Sequence, residues 1–279
     1  MTWRQSRLRE IAETVLDAHR IGWLFPLRHV AAALGRPDYT SPVAGFGPFR
    51  IRARSSDAAV VRQVFSKREY DLSGFHQFAG LCRAYDRILA AGLVPLILDA
   101  GANIGAAAVW FARQFPQAHV IAVEPDPANA ECCRFNTRLL GNVSVIEGAV
   151  GSVAGHAALS NPSGEAWAVQ TGRVEGDGVP IHALSDLLGA TGCRPFIVKI
   201  DIEGFEADLF GRDTEWLDRI EALLIEPHDW MLPGAGSSRT FQRAMARHEF
   251  EIFVKGENII YIRLPNRVSD AGAAAKDVE

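Results

Sequence analysis

The chain has 279 residues, of which 48% are hydrophobic and 22% charged, and its formal net charge at pH 7 is −4. This length is enough to bury one substantial hydrophobic core with a further segment beside it. Proteins that bind nucleic acids usually carry a surplus of basic residues, so the slightly acidic balance argues against a nucleic-acid partner.

The cysteines and the N-terminal residues predict a cytoplasmic protein. Cys132 and Cys133 are adjacent, Cys82 and Cys193 are isolated, and no C-x-x-C pair exists that would indicate a zinc site or a disulfide framework. The first ten residues are charged and lack the apolar region of a signal peptide. No apolar stretch approaches the roughly 18 residues of a membrane span, so we expect a soluble protein.

Residues 1–92 predict a mainly helical cap or lid region. Helical spacing of apolar residues gives predicted helices at 4–20, 27–34, 57–66 and 74–91. An extended or hairpin segment is expected at 43–54. Residues 1–49 are candidates for a lid, a dimer contact or an element that selects the substrate; the oligomeric state itself is not predicted.

Residues 93–265 alternate between short apolar runs and helical patterns. Strands are predicted at 94–100, 119–125, 143–150, 196–201 and 221–227, followed by a closing antiparallel pair. This rhythm predicts a Rossmann-like, doubly wound α/β core with a mostly parallel seven-stranded sheet that contains one antiparallel strand. Residues 151–178 are interpreted as an irregular, glycine-rich stretch, and residues 266–279 as a disordered tail.

A glycine-rich turn follows the first core strand. The segment reads Asp99-Ala-Gly101-Ala-Asn103-Ile-Gly105. Glycine allows a ligand to approach the backbone closely at such a strand end, although a turn that only packs the strand on its helix would look similar. The dinucleotide pattern G-x-G-x-x-G is absent, which favours a cofactor without a pyrophosphate. The pattern resembles the first motif of class I S-adenosylmethionine-dependent methyltransferases.

An acidic residue ends the second core strand. Glu124 lies 23 residues after Gly101, and an acid at this place accepts hydrogen bonds from both ribose hydroxyls of a nucleoside cofactor. A solvated loop acid is the alternative, but the Asp-Pro pair at 126–127 already supplies the helix cap. We therefore predict a cofactor site that includes Glu124 and Pro125, with the adenine near Ala149 on the third strand.

Two acidic clusters follow the fourth and fifth strands. They read Lys199-Ile-Asp201-Ile-Glu203-Gly-Phe-Glu206 and Ile-Glu226-Pro-His228. The carboxyl ends of parallel strands meet at one edge of a sheet, so these side chains should converge. We predict His228 as the general base, because an ordinary imidazole is mostly neutral at pH 7, with Asp201 and Glu226 orienting it or the acceptor. A helix is predicted from Glu203 to Phe210, and an acid such as Glu206 suits the first turn of a helix.

A metal is the competing interpretation of the same residues. Asp201, Glu203 and Glu226, with or without His228, offer ligands that Mg²⁺ or Mn²⁺ accepts, and such an ion would lower the pKa of a bound hydroxyl. Carboxylate clusters also bind polar acceptors without a metal, so a divalent metal is not the favoured prediction.

Four motifs in this order, DAGANIG, AVEPDP, VKIDIEGFE and IEPH, resemble the FkbM family of methyltransferases over about residues 50–264. The resemblance implies S-adenosylmethionine as cofactor and O-methylation of a hydroxyl on a small molecule, sugar or glycolipid. It also implies Tyr70 near the cofactor, whereas an aromatic that packs the N-terminal region on the core is the alternative. The chain departs from the family at Ser185, where an Asp is frequent.

Two other functions remain open at this point. An oxidoreductase could bind NAD on a similar sheet, although the third glycine of its fingerprint is missing. A catalytically inactive scaffold would have less reason to place acidic residues at successive strand ends.

Overall fold

A computed structural model describes residues 13–33, 38–53, 55–160, 170–231 and 233–264. The beginning of the first predicted helix and the predicted tail at 266–279 lie outside the described residues. Among the helices within these ranges, none is both long and apolar enough to cross a membrane.

The N-terminal region combines helices with a β-hairpin. Its elements are α1 (13–20), α2 (Leu24–Ala33), β1 (Asp38–Val43), β2 (Gly47–Arg52), α3 (Asp57–Val61) with a π-helical turn at Arg62–Ser66, and α4 (Phe78–Ala90). The hairpin begins earlier than the predicted extended segment, because β1 carries polar residues and a proline that give little strand signal. Its Phe49 and Ile51 are fully buried in the same cluster as the helix that follows the first core strand.

The core is a seven-stranded sheet. Its strands are β3 (Val94–Ala100), β4 (His119–Glu124), β5 (Val143–Glu147), β10 (Cys193–Ile200), β11 (Ala222–Ile225), β12 (Phe250–Lys255) and β13 (Asn258–Arg263). They lie in the order β12-β13-β11-β10-β3-β4-β5. β13 runs antiparallel to the other six strands, which confirms the mostly parallel sheet with one antiparallel strand.

Side chains of the central strands enter two separate apolar clusters. Ile97 belongs to one cluster with α4 and α5 (Ala106–Gln114), whereas Leu96 and Leu98 belong to a second one. Successive strand residues point to opposite faces, so the sheet is covered on both sides. This explains why these strands are continuous apolar runs in the sequence. The remaining helices of the core are α6 (Pro127–Thr137), α7 (Leu184–Leu187), α8 (Glu206–Leu209), a 3₁₀ turn (Glu215–Arg219) and α9 (Arg239–Met245).

A second sheet replaces the irregular stretch predicted at 151–178. It contains β6 (Ala149–Gly151), β7 (Gly155–Ser160), β8 (Gln170–Val174) and β9 (Val179–Ala183) in the order β6-β9-β7-β8. The strand predicted at 143–150 is split between the two sheets at Gly148. A Cβ on this glycine would lie 2.7 Å from the His182 ring and 2.8 Å from the Pro180 carbonyl oxygen. The second sheet escaped prediction because its strands are rich in Gly, Ala and polar residues.

The helix predicted from Glu203 to Phe210 is much shorter. Only Glu206–Leu209 is helical, because Glu203 and Gly204 have positive φ angles of 50° and 92°. The acidic residues after β10 therefore lie in a loop at the strand end.

Candidate functional site

The candidate site lies beyond the carboxyl ends of β3, β4, β10 and β11. The loops after β3 and β10 touch there through their backbones. Gly101 has a φ of +77°, and a Cβ at this position would lie 1.7 Å from the carbonyl oxygen of Asp201. Only glycine fits this contact, so the first motif brings the β3 turn against the acidic loop.

Glu124 forms the next part of the site. Its side chain is almost fully buried and accepts hydrogen bonds from the backbone N–H of Asn103 at 2.7 Å and of Asp126 at 3.0 Å. Burial raises the pKa of Glu124 to about 7, although these two hydrogen bonds oppose the shift. Asn103 adopts a φ of 48°, and its buried Oδ1 has no hydrogen-bond partner within the described part of the chain.

A narrow cleft passes between these residues. Of the predicted cofactor residues, it is lined by Gly101, Asn103, Glu124, Pro125 and Ala149. Three further lining residues were not predicted from the sequence: Asn129 on α6, Thr171 on β8 and Phe205. Asn129 stands at the third position of a capped helix, which carries no ligand signal, and Thr171 lies on a strand that was not predicted.

Three of the predicted cofactor residues do not line the cleft: Tyr70, which lines a neighbouring cavity, and the pair Asp99 and Gly105. Asp99 is fully buried, and its Oδ1 lies 2.9 Å from Nζ of Lys199, which also donates to the carbonyl oxygen of Gly101 at 2.7 Å. Gly105 precedes α5, and a Cβ there would lie 2.7 Å from Sγ of Cys133. Asp99 and Gly105 therefore support the turn after β3 without facing the cleft. Lys199 holds the carbonyl oxygen of Gly101 in this turn.

A larger cavity of about 650 Å³ adjoins the cleft. The two share Gly101, Asn103, Asp201 and Glu203 as lining residues. One wall comes from α3 and the π-helical turn of the N-terminal region.

Tyr70 lies between the N-terminal region and the core, and its predicted place near the cofactor stays a prediction. It lines the larger cavity, and its ring lies 5.5 Å from that of Phe111 on α5. Its carbonyl oxygen accepts a hydrogen bond from the Trp110 indole. The residue therefore faces the cavity and also packs the N-terminal region against the core.

The acidic residues after β10 and β11 surround His228. The imidazole is buried, and its Nδ1 lies 2.7 Å from Oε1 of Glu206. Its Nε2 faces Glu203 Oε2 at 3.4 Å, Asp201 Oδ1 at 3.5 Å and Glu226 Oε1 at 3.8 Å. Asp201, Glu203, Glu226 and His228 therefore converge in the structure as predicted. Glu206, which the sequence indicated only as a helix-start acid, holds the ring.

This crowding changes the electrostatics of the cluster. Burial alone would lower the pKa of His228, but the hydrogen bond to Glu206 and the charge of Asp201 raise it to about 9. Burial and then the negative charge of Asp201 raise the pKa of Glu203 to about 8 and that of Glu226 to about 7. His228 thus differs from the neutral imidazole expected from the sequence, because four carboxyl groups surround it.

The donor atoms that could hold a metal overlap with the predicted set, which was Asp201, Glu203 and Glu226 with or without His228. One ligand atom each of Asp201, Glu203 and His228 lie within 4.8 Å of one another. Glu226 is not part of this group.

Comparison with known proteins identifies the family. The FkbM methyltransferase domain matches residues 99–252, which is more than half of the chain. The chain therefore belongs to the FkbM methyltransferase domain family and is an S-adenosylmethionine-dependent methyltransferase. The comparison with curated proteins gave no significant match.

Several solved structures resemble this chain distantly. A precorrin-6y C5,15-methyltransferase from Geobacter metallireducens is 13% identical, with 64% of this chain and 84% of that chain covered and a TM-score of 0.34. A methyltransferase from Geobacter sulfurreducens is 16% identical, with coverages of 74% and 88% and a TM-score of 0.34. The fibrillarin pre-rRNA processing protein of Methanococcus jannaschii is 9% identical, with coverages of 61% and 66% and a TM-score of 0.38.

Proposed function

We propose that this methyltransferase transfers the methyl group of S-adenosylmethionine to a hydroxyl oxygen of a small molecule, sugar or glycolipid. The observation that supports this most directly is the junction of the two cavities. The cleft beside Glu124 meets the larger cavity at Asp201 and Glu203, where carboxyl groups collect. A cofactor in the cleft and an acceptor in the cavity would meet beside groups that can bind a hydroxyl and remove its proton.

The residues of the cleft fit S-adenosylmethionine. The Glu124 carboxylate can accept hydrogen bonds from ribose hydroxyls, and the unpartnered Oδ1 of Asn103 can accept one from the cofactor's ammonium group or a hydroxyl. In the described residues, the cleft lining includes three acids and no lysine or arginine. A positively charged sulfonium is favoured in these surroundings, whereas the pyrophosphate of NAD would be repelled. This charge pattern argues against the oxidoreductase alternative.

When bound, S-adenosylmethionine supplies a methyl group activated by the sulfonium, which an oxygen attacks in line. Asp201 and Glu226 line the larger cavity, so their carboxylates can orient the acceptor hydroxyl. We assign the removal of its proton to Glu226. His228 does not line either cavity and is held by Glu206, so we assign it the positioning of the surrounding carboxylates rather than the role of base.

The larger cavity favours a neutral, hydroxyl-rich acceptor. Its lining combines four acids (Asp201, Glu203, Glu226 and Glu257) with two lysines (Lys67 and Lys199) and the aromatic rings of Tyr70 and Trp230. Lys199 is already paired with Asp99, so the acids outnumber the remaining cation. Carboxylates accept hydrogen bonds from hydroxyls, and flat rings contact the apolar parts of a ligand. An anionic acceptor would meet like charge, which also argues against a nucleic-acid backbone.

The test uses S-adenosylmethionine that carries a ¹³C label in its methyl group. The enzyme is incubated with this donor and a fractionated extract of small metabolites and glycolipids, and the product is examined by NMR. The proposal expects label on an oxygen, which the carbon chemical shift distinguishes from label on nitrogen, carbon or sulfur. Transfer only to nitrogen or carbon, or to protein or RNA after small molecules are removed, would contradict it.

Glu226→Gln tests the assigned base. We expect kcat to fall by about 10²–10⁴-fold, the usual contribution of a general base. Affinity for S-adenosylhomocysteine should stay unchanged, because Glu226 does not line the cleft. Glu257→Gln is the matched control, since Glu257 lines the same cavity without facing His228. A Glu226 variant with the kcat of this control would remove Glu226 as the base.

A further inference from the structure

We propose that Asp201, Glu203 and His228 form a binding site for one divalent cation of the Mg²⁺ or Mn²⁺ class, with Glu206 holding the histidine in a ligating orientation. This inference goes beyond methyl transfer, because cation binding is measurable without cofactor or acceptor.

The histidine has the orientation of a metal ligand. Its Nδ1 lies 2.7 Å from Glu206 Oε1, which also accepts from the backbone N–H of Gly204 at 3.2 Å. Glu206 accepts the Nδ1 proton, so a cation that displaces the Nε2 proton of His228 to solvent would bind the lone pair left on Nε2. Histidines that bind metals are almost always fixed in this way by their second nitrogen. Because His228 is 1% exposed, its ring is also held by packing.

The Nε2 atom faces oxygens that do not bond to it. Glu203 Oε2 lies 3.4 Å away and Asp201 Oδ1 lies 3.5 Å away, which is too far for a good hydrogen bond. Glu203 Oε2 is buried and has no hydrogen-bond partner among the described residues. Two ligands about 2.1 Å from one ion are separated by about 3.0 Å when adjacent and about 4.2 Å when opposite. The two distances from Nε2 to these oxygens lie within that range.

The carboxyl groups around His228 also favour the binding of a cation. Asp201, Glu203, Glu206 and Glu226 all lie within 4 Å of the His228 ring nitrogens. Lys199 is close: its Nζ lies 3.5 Å from the other oxygen of Asp201, Oδ2, and it also pairs with buried Asp99 at 2.9 Å. Asp201 Oδ1 remains directed at the histidine, so a dication there would offset the excess negative charge.

The donor set and its access indicate the class of ion. Two carboxylate oxygens and one imidazole are ligands that Mg²⁺ or Mn²⁺ accepts, whereas structural zinc sites are usually rich in thiolates. Asp201 and Glu203 line the larger cavity, so the remaining coordination positions would open towards it. Water or an acceptor oxygen could occupy them.

The experiment is a Mn²⁺ titration of the full chain without an affinity tag, followed by electron paramagnetic resonance of the free ion. We expect one Mn²⁺ per chain and competition by Mg²⁺. Glu203→Gln and Asp201→Asn should each weaken Mn²⁺ binding at least tenfold, whereas Glu257→Gln, in the same cavity, should bind normally. Pulsed spectra of the bound ion should show coupling to a histidine nitrogen.

The contradicting results are equally specific. Absence of stoichiometric Mn²⁺ binding, equal affinity in Glu203→Gln and wild type, or a bound ion without nitrogen coupling would each overturn the site. Circular dichroism and thermal unfolding of the same variants show that they are folded. Because Mn²⁺ binding is measured without cofactor or acceptor, loss of the cation site would leave the proposed methyl transfer standing, and the reverse also holds.

Discussion

At the scale of single residues, Glu124 is held in surroundings that oppose its charge. It is buried at the end of β4, and its pKa is raised from 4.5 to about 7. Between these values the native state binds a proton that the unfolded state does not. The contribution of Glu124 to stability is therefore greatest at low pH and is lost as the pH rises through about 7. An acid kept there at the expense of stability is consistent with a role in binding.

Glu124→Gln tests this linkage. We expect the wild type to lose about 1–3 kcal/mol more unfolding free energy than the variant between pH 5 and pH 8, because the variant cannot take up the proton. Chemical denaturation at both pH values gives the difference, in which the shared titrations of other groups cancel. Parallel pH profiles of the two proteins would show that the pKa of Glu124 is not raised.

Lys199 and Asp99 form a buried ion pair that stabilises the turn after β3. Removing one member of a buried ion pair leaves an uncompensated charge, which typically destabilises a protein by about 3–5 kcal/mol. We expect Lys199→Met to lower the free energy of unfolding by this amount. The double variant Asp99→Asn with Lys199→Met should recover at least half of that loss. Denaturation curves measure both. A loss below about 1 kcal/mol in Lys199→Met would contradict the structural role of the pair.

At the scale of elements, the β1–β2 hairpin packs against the core. Phe49 is fully buried in the same apolar cluster as α5, and Arg50 on the same strand donates a hydrogen bond to Glu131 on α6. Part of the predicted 1–49 segment is thus joined to the core by packing. A deletion that ends at residue 49 would remove this packing together with any lid.

Phe49→Ala should therefore destabilise the whole protein, by about 3–5 kcal/mol for a buried phenylalanine. Trp23→Ala is the control, because Trp23 lies in the same region but is 65% exposed. Thermal or chemical unfolding compares the two variants. A Phe49→Ala variant as stable as the Trp23→Ala variant would mean that the hairpin does not contribute to the core.

At the scale of the whole molecule, the core strands and the residues at their ends could be predicted from the sequence, because local residue patterns determine them. The core strands are long apolar runs, and Gly101, Glu124, Asp201 and Glu226 follow strand ends in a spacing that fixes the crevice. Sheet geometry then brings them together without further information. The two closing apolar runs likewise predicted the antiparallel strand β13.

What escaped prediction depends on distant contacts. The second sheet has weak strand propensity, and its strands are held by pairing with each other. The protonation of His228 depends on Glu206, which is 22 residues away in the chain. The structural role of Asp99 depends on Lys199, and no local pattern links residues on different strands.

The most direct test of the account is calorimetric titration with S-adenosylhomocysteine and, separately, with NADH. Wild-type protein should bind S-adenosylhomocysteine and not NADH, and Glu124→Ala should weaken that binding by about 1–3 kcal/mol through lost charge-assisted hydrogen bonds. Glu147→Ala is the control, because Glu147 lies opposite Glu124 in the sheet but is exposed and paired with Arg134. Wild-type affinity in a folded Glu124→Ala variant, or tighter binding of NADH, would contradict the assigned cofactor site.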